Sequence, residues 1–216
     1  MWGRCVYRGP WLRRSLALTF DDGPSEGSLW LLEYLAAEGI RATFFQCGKN
    51  VERHPQIARE IRDAGHEIGN HTYSHARLFP RLGRRLYWPT PALMAREVAR
   101  AQKMIQDEVG VAPRLFRAPY GLRWWGLDGA QKQFDLLGVM WTVIGHDWEW
   151  RADRVARLVL RKAGPGGIIC LHDGRDIQPS PDVSEMLKAV REIVPVLKGE
   201  GFGFETVSEL LLPTAA

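Results

Sequence analysis

His71 and His75 stand four residues apart, a spacing at which a helical turn points both imidazoles the same way. An HExxH helix grips zinc by that spacing, but Thr72 stands where the glutamate would be, which disfavours a protease of that kind. Two histidines and one carboxylate, with a position left for water, make a catalytic zinc site. Asp22 is the third ligand the chain offers. Alone, an HxxxH pair is as readily a solvated or capping feature, and Asp21-Asp22-Gly23-Pro24 alone is a plain turn. Together they suggest more. Adjacent carboxylates repel unless a cation or a shared proton relieves them. A metal on Asp22 and the Arg117 guanidinium near Asp21 would let the two acids divide the work.

The elements that must position these residues alternate between short β-rich runs and helical patterns. Strands read at 16–20, 42–47, 66–69, 115–117, 139–143, 168–171 and 203–206. Between them lie helical stretches. One has Leu29, Leu32 and Leu35 at helical spacing before Gly39, and one opens at Pro55 with Ile57 and Ile61 inward and stops at Gly65. A long one runs from a Thr90 cap and Pro91 towards Gly110, with Leu93, Val98 and Ile105 as core positions, and others cover 152–163 and 184–198. About seven strands separated by helices predict an α/β fold with a parallel sheet, a barrel smaller than the eight-stranded kind. In such a barrel chemistry gathers at the C-terminal strand ends. Asp21 and Asp22 end the first run, His71 and His75 follow the third, and Arg117 ends the fourth. Asp147 lies just beyond the fifth, and His172 with Asp173 ends the sixth. Packing alone does not explain so many on one rim.

At 216 residues, 45% hydrophobic and 25% charged, the chain suits one soluble domain. No apolar run approaches bilayer length, and residues 1–14 read as an extension without a secretory h-region. The three cysteines, Cys5, Cys47 and Cys170, form no CxxC. Cys47 and Cys170 read as buried free thiols, which fits a reducing compartment; the compact size and absent signal lean towards a cytoplasmic protein, although a secreted one with its signal removed would look the same. A net charge of +4 permits an anionic partner without demanding one, and no motif supports nucleic-acid binding.

Five runs occur in order: Thr19-Phe20-Asp21-Asp22-Gly23-Pro24, His71-Thr72-Tyr73-Ser74-His75, Arg117-Ala118-Pro119-Tyr120, Asp147-Trp148 and Leu171-His172-Asp173. In these, and in Ala42-Thr43-Phe44-Phe45 and 65–70, the chain resembles the polysaccharide deacetylases of the NodB-homology type, carbohydrate esterase family 4, across residues 15–212. The resemblance implies a single distorted seven-stranded (β/α) barrel, TIM-barrel-like, and a metal-dependent hydrolase that removes N-acetyl groups. The substrate implied is an N-acetylglucosamine-type sugar in an oligo- or polysaccharide or a lipid-linked glycan. It also implies roles: Asp21 as base, Arg117 as its partner, and Asp22, His71 and His75 as ligands of one divalent metal. His172 would be the acid, tuned by Asp147. The Tyr120 N–H would bind the oxyanion, and Trp148 and Leu171 would line the acetyl pocket. Zinc suits the ligand set, which also accepts Co2+, Mn2+ or Ni2+. The chain departs from the family at Ile144, where an acidic residue is common, so substrate contacts rather than catalysis are expected to differ.

Other residues receive blander readings. His54 belongs to a helix start, His66 supports a strand, and His146 has no matching role and could touch substrate. Trp124-Trp125 and the tryptophans at 148–150 either stack on sugars or belong to the core. Residues 77–88 mix four arginines with large apolar side chains and read as a packed loop or as a contact with an anionic glycan or membrane headgroups. The chain is expected to be a monomer. The rival functions are an amide or imide hydrolase on a non-sugar substrate and a catalytically silent carbohydrate-binding module.

Overall fold

A computed structural model describes residues 3–78, 89–123 and 126–212 of the chain. Most of the 77–88 segment, from 79 onward, and Trp124-Trp125 lie outside these residues. In chain order the elements are β1 (Cys5–Val6), β2 (Ser15–Asp21), α1 (Glu26–Ala37), β3 (Thr43–Gln46), α2 (Gly48–Arg53), α3 (Pro55–Asp63) and β4 (Glu67–Asn70). Then follow α4 (Pro91–Val109), β5 (Leu115–Phe116), a 3-10 turn (Pro119–Gly121), α5 (Leu127–Gln133), β6 (Leu137–Val139) and β7 (Val143–Ile144). The last are α6 (Ala152–Lys162), β8 (Ile168–His172), α7 (Ser184–Gly199), β9 (Gly203–Glu205) and α8 (Val207–Leu211).

Every strand pair is parallel, in the order β1-β6-β5-β4-β3-β2-β8-β7, with β9 against β2. Ala17 pairs with Ile168 on one side and Glu205 on the other, so β9 continues the edge of β2 that β3 occupies further along. The expected barrel architecture is present, with two differences in its strands. Cys5–Val6, within the segment read as an extension, pairs with β6. The run at 139–143, expected as one strand, is two. β6 pairs with β5 and β1 near one end of the sheet, whereas β7 pairs with β8 at the other. Only residues 140–142 separate them, and a stretch that short reaches about 14 Å at most. The covalent chain therefore draws the sheet ends together where no ladder joins them among the described residues. The carbonyls of Val139 and Met140 at this break accept from Arg117 Nε (3.1 Å) and Nη2 (3.2 Å).

Strand alternation divides the side chains into two sets. Leu16, Leu18, Phe20, Ile169 and Leu171 pack with Leu31, Leu35, Val155, Val159, Val190 and Ile193 of the surrounding helices. The other parity on the same strands carries Ala17 and Ile168, which pack with Phe45, Leu115, Val139 and α8, and above them Thr19, Asp21, Cys170 and His172. Polar groups thus concentrate at the C-terminal mouth. The helix caps form as their sequences require: the Thr90 hydroxyl accepts from the Leu93 N–H, and Gly110 ends α4 at φ +78°. Val98 and Ile105 are buried there as expected, but Leu93 is only half-buried and Met94 takes the inward place. In α1 the buried leucines are Leu31 and Leu35, with Leu29 and Leu32 at the margin.

Candidate active site and metal centre

β4 ends at Asn70, and the turn that follows brings both histidines back towards the end of β2. Asp22 Oδ1 lies 3.3 Å from His71 Nε2 and 3.2 Å from His75 Nε2. All three residues are buried. The other ring nitrogens lie beside oxygens: His71 Nδ1 is 2.8 Å from the Arg117 carbonyl, and His75 Nδ1, which has no in-line hydrogen bond, is in ion-pair contact with Asp176 Oδ1 at 2.5 Å. A nitrogen facing an acceptor holds the proton in the neutral ring, which leaves each Nε2 a lone pair. Asp22 Oδ1 is itself buried without a hydrogen-bond donor. Three electron-pair donors thus converge within 4.8 Å of one another, an arrangement that a divalent cation satisfies. Without a metal, burial pushes the Asp22 carboxyl up, but the protonated forms of His71, His75 and His172 outweigh it and hold it well below the carboxylate range; a bound cation would supply that positive charge in their place. His75 is raised despite burial, by Asp176 and Asp22.

Asp21 and His172 are register partners on adjacent strands, so their side chains leave the sheet side by side. The fully buried Arg117 donates to Asp21 Oδ1 at 2.6 Å and to Thr19 Oγ1 at 2.8 Å, with Phe45 beneath it. Asp21 Oδ2 is 3.9 Å from His71 Nε2 and accepts from the Cys170 thiol at 3.4 Å. Asp147 accepts from the His172 backbone N–H at 2.9 Å and lies 3.0 Å from His172 Nδ1. Burial opposes the charge on His172, yet Asp147, with Asp22 and Asp21 behind it, raises that imidazole to about 9.

These groups open into a cavity of about 450 Å³ whose walls include Tyr120, Trp141, Ile144, Trp148 and Arg175. Trp148 meets the His172 ring edge-on at 4.8 Å, and Tyr120 lies 4.7 Å from the His75 ring. Among the described non-glycine residues with left-handed backbone, Asp22, Thr72, His75, Tyr120, His146 and Asp176 all lie at or beside this site, and only Asp135 lies elsewhere. Strain so placed is what a site imposes on its backbone.

The structure departs from expectation at Leu171, which is fully buried in the outer core beside Val155 rather than on the cavity wall. Alternation explains it: Cys170, two residues before His172, shares the face of His172 and Asp21. His54 stands at the start of α3, and His66 Nδ1 accepts from the Ala42 N–H beside β3. His146 stacks on Trp150 at 4.7 Å. Of the basic segment, Leu78 is buried and the Arg77 guanidinium lies over the Tyr120 ring at 4.9 Å.

Four supports had no role assigned from the sequence, although the first of them lies within a motif. Asp173 accepts from the Gly23 N–H and the Ser28 hydroxyl, fastening the Asp21–Asp22 turn to β8. Its burial and the charges of Asp22 and Asp21 outweigh those bonds and push it up to about 7. Glu97 accepts from the Ser74 N–H (2.9 Å) and hydroxyl (3.0 Å), bracing the turn between the histidines. Asn50 donates to the Asp22 carbonyl at 2.7 Å and the Asp176 carbonyl at 2.9 Å. Asp176, the fourth, lies in the loop after β8.

The chain is similar to known proteins along most of its length. Residues 9–135 match the family profile described as polysaccharide deacetylase. The chain is 33% identical over 215 residues to a peptidoglycan-N-acetylglucosamine deacetylase of Bacillus cereus, spanning 95% of this chain and 71% of that one. It is 34% identical over 200 residues to a chitooligosaccharide deacetylase of Azorhizobium caulinodans, spanning 88% and 91%. A solved peptidoglycan N-acetylglucosamine deacetylase superposes with a TM-score of 0.84 at 30% identity, over 97% of this chain and 94% of that one. A Bacillus anthracis protein described as a CE4 family pseudoenzyme also superposes at 0.84, with 26% identity over 98% and 70%. The chain belongs to the polysaccharide deacetylase family.

Proposed function

We propose that this chain is a metal-dependent deacetylase that removes N-acetyl groups from N-acetylglucosamine-type units of an oligo- or polysaccharide or a lipid-linked glycan. The observation that carries the reading is the bare Asp22 Oδ1 between two imidazole nitrogens, beside a second carboxylate that Arg117 holds apart. A pseudoenzyme among the similar structures means that the fold alone does not carry activity. Here base, acid and three ligands are all present. Relatives named for peptidoglycan and chitooligosaccharides support the substrate class. So do the exposed rings of Tyr120 and Trp148, whose amphipathic faces suit sugars.

An amide resists hydrolysis because its carbonyl is a weak electrophile and its amine a poor leaving group. A divalent cation held by Asp22, His71 and His75 would polarise the acetyl oxygen and lower the pKa of water from about 16 to roughly 7. Asp21, fixed through Oδ1 by Arg117, offers Oδ2 to take the proton from the attacking water. The Tyr120 N–H is the backbone donor for the oxyanion, a contribution of roughly 3 kcal/mol for one well-placed donor. His172, whose charged form Asp147 favours against burial, gives its Nε2 proton to the departing sugar nitrogen.

Acetate release from a series of N-acetylglucosamine oligomers tests this reading. Zinc-loaded protein should release acetate, and Asp21→Asn should keep zinc while turnover falls roughly 10²–10⁴-fold. Near-normal turnover in that variant would remove Asp21 as base. Hydrolysis of a small non-sugar amide with no acetate from any oligomer would overturn the substrate class.

A further inference from the structure

The half-exposed Asp176 lies far along the chain from both residues it touches, yet it meets two of the three ligand residues at once. Its Oδ1 is 2.5 Å from His75 Nδ1, and its backbone N–H donates to Asp22 Oδ2 at 2.9 Å. Its carbonyl is tied back by Asn50, the side chain that also holds the Asp22 carbonyl. The neighbouring Arg175 donates to the Trp148 carbonyl at 2.8 Å, so the same loop forms part of the cavity wall. We propose that Asp176 is a positioning residue of the metal centre, holding His75 as the Nδ1–H tautomer so that the Nε2 lone pair is directed at the cation. The proposal rests on the metal-dependent reading above.

Two comparisons argue for this role over an ordinary surface ion pair. The His75 side chain is only 7% exposed, so the contact is sheltered on the side that matters. His71 presents its Nδ1 to the uncharged Arg117 carbonyl, whereas His75 presents its own to a full negative charge, which makes its Nε2 the stronger donor. The backbone also commits the residue: at φ +48° Asp176 adopts a left-handed conformation, which aims its carboxylate at the ring while its N–H meets Asp22.

That geometry selects the variants. Asp176→Gly removes the carboxylate but tolerates φ +48° and keeps the N–H bonded to Asp22. Asp176→Asn keeps an acceptor and loses only the charge. Asp182→Asn, an exposed carboxylate further along the same connection, is the control. Zinc affinity would be measured on the full chain, stripped of metal, by competition with a chromogenic chelator. Asp176→Gly should bind zinc about 10–100-fold more weakly, the usual effect of removing such a partner. Asp176→Asn should fall between, and Asp182→Asn should match the parent.

Two-bond nitrogen–proton spectra of the metal-free His75 ring, above its titration, give a second readout that a merely structural role would not move. The parent should show the Nδ1–H form, and Asp176→Gly should shift towards Nε2–H. Parent-like affinity in Asp176→Gly, or an Nε2–H ring in the parent, would overturn the role of Asp176 alone. A parent chain that binds no zinc would overturn the metal reading and this inference with it.

Discussion

Asp21 and Asp22 are neighbours in sequence with opposite surroundings. Asp21 is the last residue of β2, where the pleat turns its side chain inward onto Arg117. Asp22 has φ +73°, outside the strand, and that turn sends its carboxylate sideways to the two histidines. A guanidinium and a metal site relieve what would otherwise be a costly pair. Their types and their place at a strand end were legible in the sequence. Asp176 was not: a lone aspartate in a polar loop carries no local signal, and only the fold brings it to His75. At this scale the pH dependence follows from His172. An ordinary imidazole titrates near 6.5, and Asp147 raises this one to about 9 when no metal is bound. A group raised on folding stabilises fully below 6.5 and loses that contribution as pH rises through about 9. Histidine NMR titration of the metal-free chain should place His172 near 9, and zinc, adding positive charge nearby, should lower the value. A midpoint at or below 6.5 without metal would show that Asp147 does not govern it.

The turn from His71 to His75 shows what elements contribute beyond residues. Thr72 at φ +68° and His75 at φ +52° are not a helical turn, so the two rings converge by a braced loop rather than by helix periodicity. Asn70 Oδ1 accepts from the Thr72 N–H at 2.9 Å, and Glu97 holds Ser74 from α4. Glu97→Ala would leave the Ser74 N–H without its acceptor, at about 1–3 kcal/mol. Denaturation of metal-free protein should show that loss, and zinc competition should show weaker binding by the same variant. A stability loss with unchanged zinc affinity would mean that the turn keeps its shape unaided. Local features were readable: the Thr90 cap, Pro55 at a helix start and the Gly65 and Gly110 stops depend on neighbours only. The division of 137–144 into β6 and β7 was not readable, because an apolar run does not say which strands it pairs with. The same limit explains Leu171 and Cys170, since parity becomes informative only once the inward face is known.

For the whole molecule, curvature makes the site. A parallel sheet drawn together at residues 140–142 brings the ends of β2, β4, β5 and β8 to one mouth, where each contributes chemistry to the same cavity. The barrel and its active rim were visible in the sequence because strands and polar residues recur together. The closure and the β1 edge were not, because both depend on contacts distant in sequence. Cation binding should in turn stabilise the fold, because the three donors converge only when it is formed. At roughly 100 times its Kd, zinc adds about 2.7 kcal/mol. For a chain of this size that raises Tm by roughly 5–10 °C. Calorimetry with and without zinc should show that rise in the parent chain and its loss in Asp22→Ala.

Anomalous diffraction at the zinc edge from zinc-soaked crystals addresses the site itself. The expected result is one strong peak about 2.0–2.2 Å from Asp22 Oδ1, His71 Nε2 and His75 Nε2 together. Zinc found only elsewhere, or none at these three atoms in crystals that bind it, would contradict the metal centre and the hydrolysis built on it.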